Sequence, residues 1–184
     1  MTKVIGGATL SLDGFMNDRN GDLSRLYPDL EALGREEMLK ESIRRTGAVV
    51  MGRRAYDIAL GDFTGYEYQV PIFVLTHRPP EKAAKGENDR LSFIFVTDGI
   101  ASAIARAKAA AGDKDVTVVG GAQTAQACLQ AGLLDEIEIS FMPLLLGEGL
   151  RLFEHLGPQP IELETIKVIA SPTGRTDIWF RVVK

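Results

Sequence analysis

The chain has 184 residues, 45% hydrophobic and 25% charged, with one Cys, two His and a net charge of −4. A chain of this length buries roughly 70% of its unfolded surface without a metal or disulfide staple, and a lone cysteine excludes a disulfide framework or Cys-rich zinc site and points to a reducing compartment. The acidic balance, with a pI of about 5.3, argues against a general nucleic-acid binder.

Met1-Thr2-Lys3 runs directly into a strand pattern at Lys3–Thr9, so no signal peptide is expected. A polar loop, SLDGFMNDRNGD, follows. Pro28 to Arg45 is predicted to form one helix with Leu30, Leu33, Leu39 and Ile43 on one face. Ala48–Met51 is an apolar strand and Arg53–Leu60 a short helix. Pro71–Leu75 and Leu91–Val96 are two further strands around the loop PPEKAAKGENDR.

Asp98 is a candidate cap for a helix carrying Ile100, Ile104, Ala107 and Ala111, with Gly112 as its stop. Val116–Val119 is a strand, Gly121–Ala131 a helix and Gly132 its C-cap. The stretch from Val116 to Leu134 is uncharged, but its three Gln, two Thr and three Gly suit hydrocarbon poorly, so a soluble, cytoplasmic protein is expected. Glu136–Phe141 alternates, with Ile137, Ile139 and Phe141 on one face and Glu136, Glu138 and Ser140 on the other. Glu162–Ala170 and Thr176–Val183, joined by Ser-Pro-Thr-Gly, read as an antiparallel hairpin.

This alternation predicts a single α/β domain over residues 1–184: a mainly parallel sheet flanked by helices, with antiparallel strands at one edge. In such sheets ligands bind beyond the carboxyl ends of the strands. Three of those ends suit phosphate: Gly52-Arg53-Arg54, Leu75-Thr76-His77-Arg78, and Gly120-Gly121 running through Ala122, Gln123 and Thr124 into a helix. Gly-Gly lets backbone approach a pyrophosphate, and the N–H groups opening a helix favour an anion. Each segment alone is also an ordinary turn or surface; together they favour a nucleotide. The Gly47–Gly52 spacing matches a P-loop, but Arg53-Arg54 replaces Lys-Ser/Thr, which disfavours phosphoryl transfer, and no G-x-G-x-x-G is present. No acid stands at the Arg53 or Thr76 position to take a ribose 2′-hydroxyl, and cations stand there instead, which suits a 2′-phosphate and hence NADPH.

The segments VVMGRRAYDI (Val49–Ile58), PIFVLTHRPP (Pro71–Pro80) and Val116–Phe153, together with the opening ATLSLDGFM, resemble the ordered motifs of the dihydrofolate-reductase-like superfamily. The chain is most similar to the reductase domain of the bifunctional riboflavin-biosynthesis deaminase-reductase and its stand-alone relatives. That resemblance implies a dihydrofolate-reductase-like fold, a dimer, and hydride transfer from NADPH to a heterocyclic or sugar-derived substrate. It places Gly52, Arg53 and Arg54 at the cofactor phosphates, and Leu75, Thr76, His77 and Arg78 at the 2′-phosphate and adenine. Gly120, Gly121, Ala122, Gln123 and Thr124 would cradle the pyrophosphate. Ala8 and the Asp13 loop would border the nicotinamide, with Leu146, Gly147 and Gly149 near the substrate mouth.

Counting back from Met51 puts Glu36 where dihydrofolate reductases keep a pterin-binding carboxylate, although the charged helix around it favours a solvated face. Their Trp-containing segment is missing, since the only tryptophan is Trp179. Asp13, also a plain turn former with Gly14, and Glu36 are the candidate catalytic carboxylates, with protonation expected through water. The substrate pocket is expected along Leu12–Arg25 and Tyr56–Tyr68. Cys128 reads as a core residue, and His77 and His155 are too far apart to suggest a metal site. A nucleotide-binding module without turnover is the alternative function.

Overall fold

The computed structural model describes residues 1–82, 84–172 and 174–184. Among these residues, ten strands and five α-helices, with a 3-10 turn at Ser24–Leu26, follow in chain order: β1 Val4–Ser11, β2 Phe15–Asn17, α1 Leu30–Arg35, α2 Glu37–Arg45, β3 Thr46–Gly52, α3 Arg53–Ile58, β4 Ile72–Leu75 and β5 Phe93–Val96. Then come α4 Ile100–Ala111, β6 Asp115–Val118, α5 Ala122–Gln130, β7 Glu136–Met142, β8 Leu150–Arg151, β9 Leu163–Ala170 and β10 Thr176–Val182. Among the described residues, no helix is long and apolar enough to cross a membrane.

The eight-stranded sheet runs in the order β5-β4-β3-β6-β1-β7-β10-β9. β5 to β7 in that order are parallel, while β10 and β9 are antiparallel, as the terminal hairpin pattern predicts. Ser171 N–H donates to the Arg175 carbonyl (2.7 Å), closing that hairpin; Thr173 of its predicted turn lies outside the described residues. β2 and β8, which periodicity does not reveal, form a separate two-stranded sheet.

One face of the sheet is apolar. Val4, Val50, Val116, Val118, Ile137 and Ile139 pack there with Ala103, Ile104 and Ala107 of α4 and Cys128 of α5. Small residues along α4 let it lie close to the strands, and burial pushes the Cys128 thiol up to about 12. On the other face, Val49, Met51 and Val74 meet Leu39 and Ile43 of α2 and Tyr56 of α3.

Besides the C-cap of α5, which is Ala131 rather than the expected Gly132, three predicted features differ. The Pro28–Arg45 helix is broken at Glu36, which ends α1 and starts α2 with extended backbone (φ −65°, ψ 133°); Leu30 is consequently 71% exposed. Asp98 does not cap α4, whose N-cap is Gly99 without a side-chain bond. The polar face of β7 is not solvated: Glu136, Glu138 and Ser140 are all buried. Lys3 Nζ reaches Glu136 (2.5 Å) and Arg45 of α2 pairs with Glu138.

Candidate functional site

The site begins with a break in strand pairing. β1 pairs with β6 only from Val4 to Gly6, yet continues beside β7 as far as Ser11. Beyond Val118 the chain stays with β3 instead: Val119 N–H donates to the Val50 carbonyl (3.1 Å), and Gly52 N–H to the Gly120 carbonyl (2.8 Å). A gap therefore opens between the carboxyl half of β1, which includes Ala8, and the Val119–Gly121 segment. β6 returns through α5 to β7 on one side of β1, while β1 connects through α1 and α2 to β3 on the other. Such a reversal of strand order is where open α/β sheets bind ligands.

The wall opposite β1 is built by glycine. The Gly120–Gly121 peptide is cis, and Gly120 has φ +118°, a conformation other residues adopt only at a cost. Gly121 has ordinary dihedrals, φ −79° and ψ −174°. A Cβ there would meet nothing within 4 Å, so Gly121 borders open space. It leads into α5, which has no side-chain cap; Thr124 N–H donates to the Gly121 carbonyl (3.0 Å), and the N–H groups of Ala122 and Gln123 before it are the ones that face an anion. Gly52 closes the floor, since a Cβ there would lie 2.5 Å from Thr124 Oγ1.

The predicted cationic residues gather at the ends of β3 and β4. Arg53 Nη1 donates to the Arg78 carbonyl (2.8 Å), and Arg53 Nε to Asp57 Oδ1 (2.8 Å) one turn along α3. Thr76, buried, donates its hydroxyl to the Arg78 carbonyl (2.9 Å) and accepts the Arg78 N–H (3.3 Å). Arg53 and Thr76 thus fix the turn on which His77 and Arg78 stand exposed, beyond the end of Leu75. Arg54 is also exposed. Asp57, which spacing did not single out, steadies the Arg53 guanidinium.

Asp13 and Glu36 lie in different settings. Asp13 Oδ1 accepts from the Ser11 hydroxyl (2.6 Å) and Leu146 N–H (3.1 Å), and Oδ2 accepts from Gly147 N–H (2.8 Å). These bonds, the Ser11 one foremost, hold its carboxyl down at about 2. Gly149 packs against β2, where a Cβ would lie 1.8 Å from the Asn17 carbonyl oxygen, at φ +149°. Glu36 accepts from the Ser171 hydroxyl (2.7 Å), with Arg175 Nη2 3.9 Å away. Arg175, 5% exposed, pairs with Asp177, 1% exposed, through Nε–Oδ1 at 2.9 Å.

Arg175 and Asp177 were missed by the sequence reading. Asp177 alternates with Trp179 along β10, a pattern that marks it as inward-facing once the hairpin is docked on β7. Tyr27 and Glu67 were missed as well. Burial raises the pKa of Tyr27, which bonds Thr9 of β1, and desolvation raises that of Glu67 beside the Tyr66 and Tyr68 rings.

A cavity of about 300 Å³ lies next to the gap. Met51 and Val119, each one residue before a glycine of the gap, form its inner wall, and Ala55, Ile58, Phe63 and Tyr66 complete the apolar lining. Of the two segments expected to line a substrate pocket, Tyr56–Tyr68 contributes to this wall and Leu12–Arg25 does not.

This architecture is the dihydrofolate-reductase-like fold. Dihydrofolate reductase from Enterococcus faecalis, complexed with NADP(H), superposes with a TM-score of 0.62 at 12% identity, over 99% of this chain and 97% of that one. A putative riboflavin biosynthesis protein from Shewanella sp. PV-4 matches at TM-score 0.82 and 26% identity over the whole of both chains. The diaminohydroxyphosphoribosylaminopyrimidine deaminase/5-amino-6-(5-phosphoribosylamino)uracil reductase of Thermotoga maritima matches at TM-score 0.76 and 17% identity, over 99% of this chain. This chain spans only 57% of that protein. The sequence model of the RibD C-terminal domain matches residues 2–176, and the chain belongs to that family.

Proposed function

We propose that the chain is an NADPH-dependent reductase that delivers hydride to a small heterocyclic substrate, pterin-like or resembling a riboflavin precursor. The observation that carries this reading is the gap between β1 and β6, walled by Gly120-Gly121 and ending at Arg53, Arg54, His77 and Arg78. Membership of the RibD C-terminal domain family and the reductase named among its structural relatives support it.

The residues present fit the cofactor. Open space over Gly121 and the uncapped first turn of α5 suit a pyrophosphate. The exposed cations beyond β4 suit a 2′-phosphate. When bound, NADPH supplies the hydride; the protein orients both reactants. Ala8 and Thr9 would border the reacting ring, with Met51 and Val119 beneath the substrate. Asp13 clamps the Leu146–Gly147 loop to the β1–β2 turn and holds no proton near neutral pH. Glu36 braces α1 and α2 against Ser171 and Arg175. The proton that follows hydride then comes from solvent at the open mouth.

A charge-assisted contact is worth about 1.5–3 kcal/mol, so losing one should weaken NADPH by about tenfold or more. Titration of NADPH and NADH against the parent and Arg78→Ala checks this. The expected result is a clear preference for NADPH in the parent, with NADH binding little changed in the variant. Equal parental affinity for the two would contradict the assignment.

A further inference from the structure

Hydride transfer needs a proton beside it, and several ionisable groups near the cleft are badly placed to give one. Asp13 is ionised near neutral pH and clamps a loop. Glu36 accepts from the Ser171 hydroxyl. His77 stands on the cofactor side and His155 on the segment after β8, both exposed. Cys128 is buried in the core with α4, on the far face of the sheet.

A hydroxyl pair on β1 is better placed. Thr9 lies in the carboxyl half of β1, which borders the gap. Side chains alternate along a strand. Ala8 and Leu10 pack into the core with α4 and α5, so Thr9 points to the opposite face, where Met51 and Val119 pack. Ser140 stands opposite Thr9 on β7, and its hydroxyl reaches Met38 Sδ of α2 (3.7 Å), which marks the same face. The Tyr27 hydroxyl bonds Thr9 from the end of the 3-10 turn. Leu26, 2% exposed, anchors that turn, and Tyr27 is half-buried.

The groups facing the phenol come from separate elements. Burial raises its pKa and keeps it protonated near neutral pH; the Thr9 bond and Arg175 act in the other direction, and Glu67 adds to the effect of burial. Arg175 is itself enclosed between Asp177 and Glu36. Tyr68 also lies close enough to be influenced by Tyr27. Glu67 directly follows Tyr66, which lines the cavity, so Tyr27 stands between the gap and the cavity wall.

We propose that Tyr27 is a catalytic residue whose hydroxyl meets the substrate heteroatom and gives it the proton that accompanies hydride, with Thr9 holding the phenol in place. This rests on the reductase reading. As hydride from NADPH adds to the carbon of a C=N or C=O bond, the π pair moves to the nitrogen or oxygen. The Tyr27 O–H bond breaks, and its proton passes to that atom. The products are NADP⁺ and the CH–NH or CH–OH compound, with a phenolate left near the Arg175 guanidinium. The cation and the Thr9 hydroxyl both stabilise that phenolate. A proton from solvent at the open mouth then restores the phenol, so water remains the final source.

NADPH oxidation tests this with two acceptors, dihydrofolate and the 5-amino-6-(5-phosphoribosylamino)uracil named for the Thermotoga maritima relative. Tyr27→Phe should lower kcat about 100-fold or more, as loss of a general acid does. KM, NADPH affinity and melting temperature should stay close to the parent's, because the ring is kept. Thr9→Val leaves the phenol but removes its partner, and should lower kcat about tenfold, the loss expected for one neutral hydrogen bond. Parental kcat in a folded Tyr27→Phe protein would overturn the proposal. A raised KM with kcat unchanged would overturn it too, since Tyr27 would then only bind substrate. If Tyr27→Phe melts well below the parent, Thr9→Val decides, and parental kcat there overturns the proposal. A parent that oxidises NADPH with neither acceptor would instead refute the reductase reading.

Discussion

Asp13 shows how a residue's protonation follows from its hydrogen bonds. Three donors converge on its two oxygens and stabilise the charged form. With an ordinary value of 3.8 and a folded value of about 2, the carboxylate contributes stability that is present above pH 3.8 and is lost as pH falls through about 2. Asp13→Asn removes that contribution. The urea midpoints of parent and variant should therefore differ by a constant amount above about pH 5 and converge toward pH 2. A difference that persists unchanged at pH 2 would mean that the Asp13 charge is not what fastens the loop. The turn-forming character of Asp13-Gly14 was legible in the sequence. The partners of its carboxylate were not, because Leu146 and Gly147 lie far along the chain and donate through backbone, which leaves no trace in residue type.

At the scale of elements, β7 gives the clearest contrast between pattern and packing. Its alternation correctly marks a strand, but Glu136, Glu138 and Ser140 read as a solvent face. Whether that face is wet depends on α2, and α2 brings Arg45 onto Glu138, which is 3% exposed. Nothing local to β7 encodes that cover. Removing one member of a buried pair strands the other charge and costs about 3–5 kcal/mol. Arg45→Met should therefore lower urea stability by that order, and adding Glu138→Gln should restore part of the loss. A single-variant loss below about 1 kcal/mol would show that the pair is screened like a surface bridge. The broken helix has a similar origin. Apolar spacing from Pro28 to Arg45 reads as continuous, whereas Glu36 turns away to accept the Ser171 hydroxyl from a hairpin turn that follows it by more than a hundred residues.

Across the whole molecule, the parallel strands, the terminal hairpin and the Gly-Gly entry to α5 are all visible in the sequence, because each depends on local period or turn chemistry. The gap between β1 and β6 is not, because it arises where one strand changes partner. That gap opens beside the cationic ends of β3 and β4, and the functional account depends on the cofactor lying within it. The Gly121→Ala variant tests this most directly, with NADPH affinity and melting temperature measured on the same protein. Gly121 has an ordinary φ and open space at the Cβ position, so the melting temperature should stay close to the parent's. The new methyl would project into the space assigned to the pyrophosphate and weaken NADPH by about tenfold or more. Parental affinity for NADPH in a normally folded Gly121→Ala protein would contradict the account.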